Sequence, residues 1–192
     1  MTPSETSNEM SSSPLHSRMA ELISELDASR GELRALVASL PPAVLAAPAQ
    51  GEEWSIAEIL EHLTLVEDGA GRLFSKIVRE VETSGEREAN ASSILSANDA
   101  FKIATSNVRI TAPERVRPTA GLSPDESMAR LEASRDKLKS VMTRASGLAL
   151  ESASMPHPIF GPINGYQWAL VTAQHERRHI RQIRRMVGIG DS

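Results

Sequence analysis

The sequence predicts an all-α fold, a four-helix bundle with a long connection between helices 2 and 3. Apolar residues recur at helical spacing in four long segments of the chain. Aromatic residues make up only 3% of a sequence that is 40% hydrophobic, and this composition favours packed helices over a sheet. A chain of 192 residues is long enough for one domain with a full-sized core. We expect that domain to span residues 15–190, after a Ser- and Thr-rich leader at 1–14 that we expect to be disordered.

The first two predicted helices have clear boundary signals. The first runs from about Leu15 to Leu40, and Pro41-Pro42 ends it because proline lacks an N–H and clashes with the preceding turn. The second begins at Ser55, which forms a capping-box pattern with Glu58. Its apolar stripe continues to Ile77.

The last two helices are bounded in the same way. The third opens with Ser123-Pro124-Asp125-Glu126, which supplies a cap, a proline in the first turn and an acid three residues after the cap, and Gly147 ends it. The fourth runs from near Asn164 to Val187, with Gly188 as the stop.

Two connecting segments have their own character. The connection from about Thr83 to Leu122 is predicted to hold a short helix near Asn98–Ser106 and an extended piece from Thr111 to Pro118. The segment Met155–Pro162 is predicted to be a rigid loop, because residues before proline avoid the helical region. We find no convincing strand in the sequence.

Composition removes several classes of function. With no cysteine, the chain has no disulfide, no thiolate ligand and no thiol nucleophile of its own, which fits a cytoplasmic location. A net charge of −4 gives no reason to expect nucleic acid or an anionic membrane as a partner. No stretch approaches the roughly 20 apolar residues of a membrane span. We therefore predict a cytoplasmic protein that acts on a small molecule.

A pair of histidines on the fourth helix is the main candidate site. His175 and His179 are four residues apart, which places their Cβ atoms roughly 6 Å from each other on one helix face. Trp168 and Met186 fall on the same side, so we expect both imidazoles to face the bundle interior. The five arginines of this helix fall on the other half, which we expect to be a solvated face: Arg177, Arg178, Arg181, Arg184 and Arg185.

A third ligand is needed for a tight metal site. His62, at the edge of the apolar stripe of the second helix, is the best candidate. Imidazole suits Zn, Ni, Cu and Fe, so these three histidines could share one transition-metal ion. The alternative is that each is a core histidine bonded to a backbone carbonyl. His157 lies between two prolines and is expected to form loop hydrogen bonds, although its loop leads into the metal-bearing helix.

The segment from His175 to His179 also matches the H-E-x-x-H pattern of zinc peptidases, in which the glutamate is the general base. We discount that function because only Asp191 follows as a further ligand and no strand is predicted to align a peptide. Glu176 remains a weak catalytic candidate, either as a buried ion-pair partner or in contact with a metal-bound water. Gln182, one turn beyond His179, is a candidate for orienting a ligand.

Several of these elements resemble the DinB-like superfamily, in its branch of DinB/YfiT-like metalloenzymes. The resemblance is carried by Trp54 to Leu63, Pro113 to Leu131, His157 to Gly161, and Trp168 to Ile183. It implies a four-helix bundle whose metal is held by His62, His175 and His179. Relatives include transferases and isomerases that use thiols such as bacillithiol or mycothiol, and dimers are common among them. A homodimer is therefore expected here as well.

These features together predict a protein of bacterial type that binds a divalent metal, with zinc or nickel as the expected ion. Three neutral imidazoles leave coordination positions open, which is typical of catalytic rather than structural sites. Because the chain has no cysteine, a thiol nucleophile would have to arrive as a cosubstrate. The leading hypothesis is metal-dependent S-transfer of a low-molecular-weight thiol. The alternatives are a non-catalytic, stress-associated metal-binding protein and a metal-dependent hydrolase with Glu176 as base.

Overall fold

The computed structural model describes residues 14–97, 111–119 and 121–190. Four long helices form a bundle: α1 (Ser17–Ala38), α3 (Ile56–Ser84), α5 (Pro124–Arg144) and α6 (Gly165–Met186). The shorter elements are α2 (Pro42–Ala46), α4 (Ile94–Ala97), a 3₁₀ turn (Glu114–Val116), and strands β1 (Ser154–His157) and β2 (Gly161–Asn164). The prediction of an all-α four-helix bundle is confirmed, and α3 and α5 are the second and third predicted helices.

The starts of α3, α5 and α6 are set by local hydrogen bonds. Ser55 and Ser123 each close a reciprocal capping box with a glutamate three residues later, as predicted. Asn164 closes the same motif with Gln167 at the start of α6. These caps satisfy backbone N–H groups that have no partner within the helix. Gly188 follows the end of α6 with φ of +71°. Helices often end in a residue of this left-handed conformation, which glycine adopts without strain.

The four long helices pack in a ring, since α3 contacts α5 and α6, and α1 contacts α6 and α5. The apolar core is divided into two clusters along the bundle axis. Between them lies a polar layer to which each long helix contributes one charged residue. We call this set the central ion layer: Arg30 from α1, Glu67 from α3, Arg135 from α5 and Glu176 from α6.

The central ion layer is a closed network of ion pairs. Arg30 donates to Glu176 at 2.7 Å and to Glu67 at 3.0 Å. Arg135 donates to both carboxylate oxygens of Glu67 at 3.0 Å and to Glu176 at 3.1 Å. All four residues are no more than 3% exposed. Two positive and two negative charges cancel, so the layer can be buried without leaving an unpaired ion.

The segment predicted to be a rigid loop is a β-hairpin, so the expectation of no strand was wrong. β1 pairs antiparallel with β2, with Ser154 opposite Asn164 and Pro156 opposite Pro162. Two facing prolines donate no ladder hydrogen bonds, which hides the strand signal in the sequence. The hairpin leads directly into α6 and therefore places β1 beside the histidines of that helix.

Three other expectations concern the connections and the N-terminus. The stretch predicted to be extended from Thr111 to Pro118 contains the 3₁₀ turn. The short helix predicted near Asn98–Ser106 lies outside the described residues, and so do residues 1–13 of the expected leader. None of the helices in the described ranges combines the length and apolar content that a bilayer crossing requires.

Candidate metal centre

The structure brings the three predicted histidines together in the groove between α3 and α6. His62 lies in the second turn of α3, and its ring centroid is 5.3 Å from that of His175 and 5.0 Å from that of His179. The rings of His175 and His179 are 4.6 Å apart. One nitrogen from each residue lies within 4.8 Å of the other two. The helical spacing and the α3–α6 contact together produce this convergence.

The histidines face inward, as expected, but Glu176 rather than a histidine lies in the central ion layer. His62 and His179 are buried, and His175 is partly exposed. The site is therefore a cleft at the α3–α6 seam, where part of His175 meets solvent.

Hydrogen bonds fix which nitrogen of two imidazoles is available. His62 Nδ1 lies 2.7 Å from the carbonyl oxygen of Val116, an acceptor, so Nδ1 carries the proton. His179 Nδ1 lies 2.8 Å from the Oε1 atom of Gln182. The Nε2 of Gln182 donates to Glu52 at 3.2 Å, which holds the amide in the accepting orientation. In both imidazoles Nε2 is left as the acceptor, and that of His179 lies 3.3 Å from Nε2 of His175.

The surroundings keep all three imidazoles neutral. Burial lowers the pKa of His62, and its bond to Val116 opposes this only in part. Burial lowers the pKa of His179 to about 3, with a further contribution from His62. The pKa of His175 is lowered well below its usual range by burial and then by His179 and His62. Metal ligation requires neutral imidazole, so the protonation states match that role.

A strap of chain covers His62 from outside the bundle. Glu61 accepts hydrogen bonds from the backbone N–H and the hydroxyl of Thr119, at 3.1 and 2.7 Å. Together with the bond to Val116, this ties residues 113–119 to α3. The Trp54 ring packs 5.0 Å from the His62 ring on another side. These contacts exclude water from one side of the site.

The sequence singled out neither the Val116 carbonyl nor Glu52 and Glu61. The carbonyl is a backbone atom, and no residue type signals it. The two glutamates resemble the other acidic residues of the chain until the strap and α6 bring their partners to them. Gln182 was a sequence candidate for orienting a ligand, and the structure places it against His179.

His157 flanks the three histidines, but its ring proton is on the other nitrogen from that of His62 and His179. The backbone N–H of Ile159 donates to Nδ1 of His157 at 3.1 Å, so the proton of the neutral ring is on Nε2. Its ring packs against Phe160 and Trp168, at 4.9 and 5.0 Å. Burial lowers the pKa of His157, and His157 in turn contributes to the lowered pKa of His175. His157 is thus a neutral N–H donor beside the cleft.

Glu176 is fully engaged in the central ion layer. Its Oε1 accepts from Arg30, and its Oε2 accepts from Arg135 and from the hydroxyl of Ser29. It is 2% exposed. A general base needs a free oxygen within reach of its proton donor. The buried ion-pair interpretation of Glu176 therefore fits the structure better than the hydrolytic one.

The five arginines of α6 do not share one solvated face. Arg177 packs toward α1, where it pairs with Glu25 and with Glu32 at 3.5 Å. Arg178, Arg181 and Arg185 lie on the other side of the helix, next to the histidines. The charge of Arg178 lowers the pKa of both His175 and His179.

The donor set fits a transition-metal ion. A tetrahedral zinc ion binds imidazole nitrogen at about 2.1 Å, which places two ligand nitrogens about 3.4 Å apart. The Nε2 atoms of His175 and His179 are 3.3 Å apart. Among the described residues, the group that could hold an ion consists of these three histidines, so further coordination positions stay open.

Comparisons with known proteins agree with the sequence resemblance. The family model described as the DinB superfamily matches residues 25–183. The uncharacterized protein YuaE of Bacillus subtilis (strain 168) is 26% identical over 134 residues, which cover 69% of this chain and 76% of YuaE. The crystal structure of TT2238, a four-helix bundle protein, is similar with a TM-score of 0.58 and 24% identity, and the match covers 87% of this chain and 98% of that one. At that identity the likeness concerns the fold alone.

Proposed function

The chain belongs to the DinB superfamily, and we propose that it binds one divalent metal ion and transfers a low-molecular-weight thiol onto a small electrophile. One observation carries the proposal. Two of the three clustered histidines have Nδ1 occupied by an acceptor, which directs the lone pair of Nε2 into the cluster. Three neutral imidazoles that converge in this way offer a donor set suited to a divalent cation.

His62, His175 and His179 would hold the ion, with zinc or nickel as the expected metal. When bound, the ion supplies a Lewis acid that lowers the pKa of a coordinated thiol or water. The chain has no cysteine, so the sulfur nucleophile comes from a cosubstrate. The Val116 carbonyl and Gln182 orient two of the imidazoles, as partners of metal-binding histidines commonly do.

His157 donates a hydrogen bond to the acceptor atom of the electrophile. In S-transfer by addition, the thiol sulfur forms a bond to an electrophilic carbon, and the displaced electron pair moves to a neighbouring acceptor atom. The Nε2–H of the neutral His157 ring hydrogen-bonds this atom and stabilises its developing negative charge, while the proton released by the thiol returns from solvent to the acceptor atom. Loss of one such hydrogen-bond donor typically costs 10²–10³-fold in rate.

Metal content tests the proposal first. We expect tag-free protein to hold about one equivalent of metal and the His62→Ala and His175→Ala variants to hold little. His157→Phe is the matched control, because it keeps a ring against Trp168 and removes no proposed ligand. No metal in the purified protein, and no uptake of zinc or nickel on titration, would overturn the proposal.

Turnover assays test the proposed thiol transfer, as distinct from metal binding. With the retained metal, conjugation of a thiol to an electrophile is expected in the parent, and His157→Phe, which removes one hydrogen-bond donor, is expected to lower kcat about 10²-fold without loss of metal. Stoichiometric metal with no turnover for any thiol would instead establish a non-catalytic metal-binding protein. Hydrolysis that Glu176→Gln abolishes at unchanged stability would favour the hydrolase.

A further inference from the structure

The arginines beside the histidines are arranged differently from the structural arginines of the bundle. Arg30 is held by three glutamates, Arg135 by two, and Arg177 by Glu25 and Glu32. Within residues 14–97, 111–119 and 121–190, neither Arg181 nor Arg185 has an ion-pair partner. Within these ranges, therefore, neither cation is held in place by a carboxylate.

Helix geometry places these side chains in a row. Arg178, Arg181 and Arg185 follow at spacings of three and four residues, so their side chains lie on one side of α6. Burial lowers the pKa of Arg178, and so do the charges of Arg181 and Arg185. Like charges this close repel each other, and an anion between them removes that cost.

Arg181 provides a second, independent sign of a missing acceptor. Its Nε atom is buried and has no hydrogen-bond partner in the described part of the chain. A buried unsatisfied donor is unfavourable unless a ligand supplies the acceptor. Attraction between the arginine and the C-terminal helix dipole explains Arg184 and Arg185 in the last turn, but Arg181 lies one turn earlier.

The row also adjoins the proposed metal site. Arg178 stands between the histidines and the other two arginines, and its charge reaches His175 and His179. The protein as a whole carries a net charge of −4, whereas this row of three arginines is positively charged. A cationic strip along a cleft raises the local concentration of anionic substrates.

We propose that Arg181 and Arg185, continued by Arg178 toward the histidines, form an anion-binding ridge that holds a carboxylate of the thiol cosubstrate. The planar guanidinium matches a carboxylate through two parallel N–H···O bonds. The proposal deepens the proposed function and rests on it for the identity of the ligand. It names the substrate class as a thiol that bears a free carboxylate, such as one derived from cysteine.

A matched pair of thiols tests the ridge. N-acetylcysteine and N-acetylcysteine amide differ only in the carboxylate, and their binding is measured by calorimetry to zinc-loaded and to metal-free protein. We expect the acid to bind about tenfold more tightly than the amide. The double variant Arg181→Gln/Arg185→Gln is expected to lose this preference. Arg34→Gln, which removes the same charge from the exposed surface of α1, is expected to retain it.

The two forms of the protein separate the possible failures. A preference for the acid in metal-free protein, combined with no thiol transfer in the loaded form, would leave the ridge standing while the proposed reaction fails. Equal binding of acid and amide, or a preference that survives in the double variant, would overturn the ridge. Competition with acetate and inorganic phosphate identifies the anion, and phosphate binding about tenfold tighter than acetate would overturn the carboxylate assignment.

Discussion

The central ion layer and the histidine cluster are buried polar clusters that both include residues of α3 and α6, and they differ in the kind of group that they join. The central ion layer joins opposite charges, and every carboxylate oxygen of Glu67 and Glu176 accepts a hydrogen bond. The histidine cluster joins three groups of one kind, each able to present a lone pair to the others. The first is complete without a ligand, whereas the role we propose for the second requires a cation.

This contrast divides the residues of α6 between structure and chemistry. Glu176 and His175 are neighbours in sequence but point about 100° apart, one into the bundle and one into the cleft. The layer sets the rotation of α6 about its axis because arginines from α1 and α5 hold Glu176. That rotation directs His175 and His179 toward His62. The layer therefore positions the site without taking part in its chemistry.

The largest effect on stability is expected from a substitution in the central ion layer. Arg135→Met removes a guanidinium that bonds Glu67 and Glu176 and leaves two buried carboxylates against a single arginine. Breaking one side of a buried pair is expected to lower the free energy of unfolding by about 3–5 kcal/mol. Urea denaturation of the metal-free protein measures it.

Arg34→Met is the matched control for this substitution. Arg34 pairs with Glu132 on the surface, so its loss is expected to cost less than about 1 kcal/mol. Equal losses of stability in the two variants would show that the layer is not structural.

A smaller effect is expected on the pH dependence of stability, and it comes from the histidine cluster. His179 titrates at about 3 in the folded protein and at about 6.5 in an unfolded chain. Between these values the unfolded state binds a proton that the folded state does not, so the stability of metal-free protein falls as pH drops through this window. From pH 7 to pH 5, His179 alone is expected to contribute a loss of about 2 kcal/mol.

Denaturation at both pH values, with chelator present, measures this loss. The variant His179→Leu is expected to show a correspondingly smaller loss, because leucine has no proton to gain. An identical loss in parent and variant would mean that His179 is solvated in the metal-free protein. Bound metal is expected to reduce the loss until acid displaces it.

The sequence was sufficient for the parts of the fold that depend on local signals. Ser55, Ser123 and Asn164 start their helices as predicted, because capping depends on residues three positions apart. The proximity of His175 and His179 followed from helical spacing alone. That His62 reaches them required the contact between α3 and α6, which the family resemblance implied.

What the sequence could not supply came from contacts between distant segments. A backbone carbonyl at Val116 orients His62 from 54 positions away. Glu176 was left open between ion pair and base, and only its partners on α1 and α5 distinguish these roles. The hairpin was missed because Pro156 and Pro162 suppress the strand pattern at the point where they pair.

The smallest expected effect separates orientation of a ligand from ligation itself. Gln182→Met removes the acceptor of His179 Nδ1 and no proposed ligand. Metal affinity is expected to fall about tenfold, the lower end of the range for such partners, while the stability of metal-free protein changes little. Gln182→Glu restores an acceptor and should recover affinity, although Glu52 opposes a second carboxylate there. Isothermal titration with zinc compares the three proteins. Unchanged affinity in Gln182→Met would show that His179 needs no such partner to present Nε2. His62 would then be the histidine whose tautomer is fixed by a hydrogen bond that matters for metal binding.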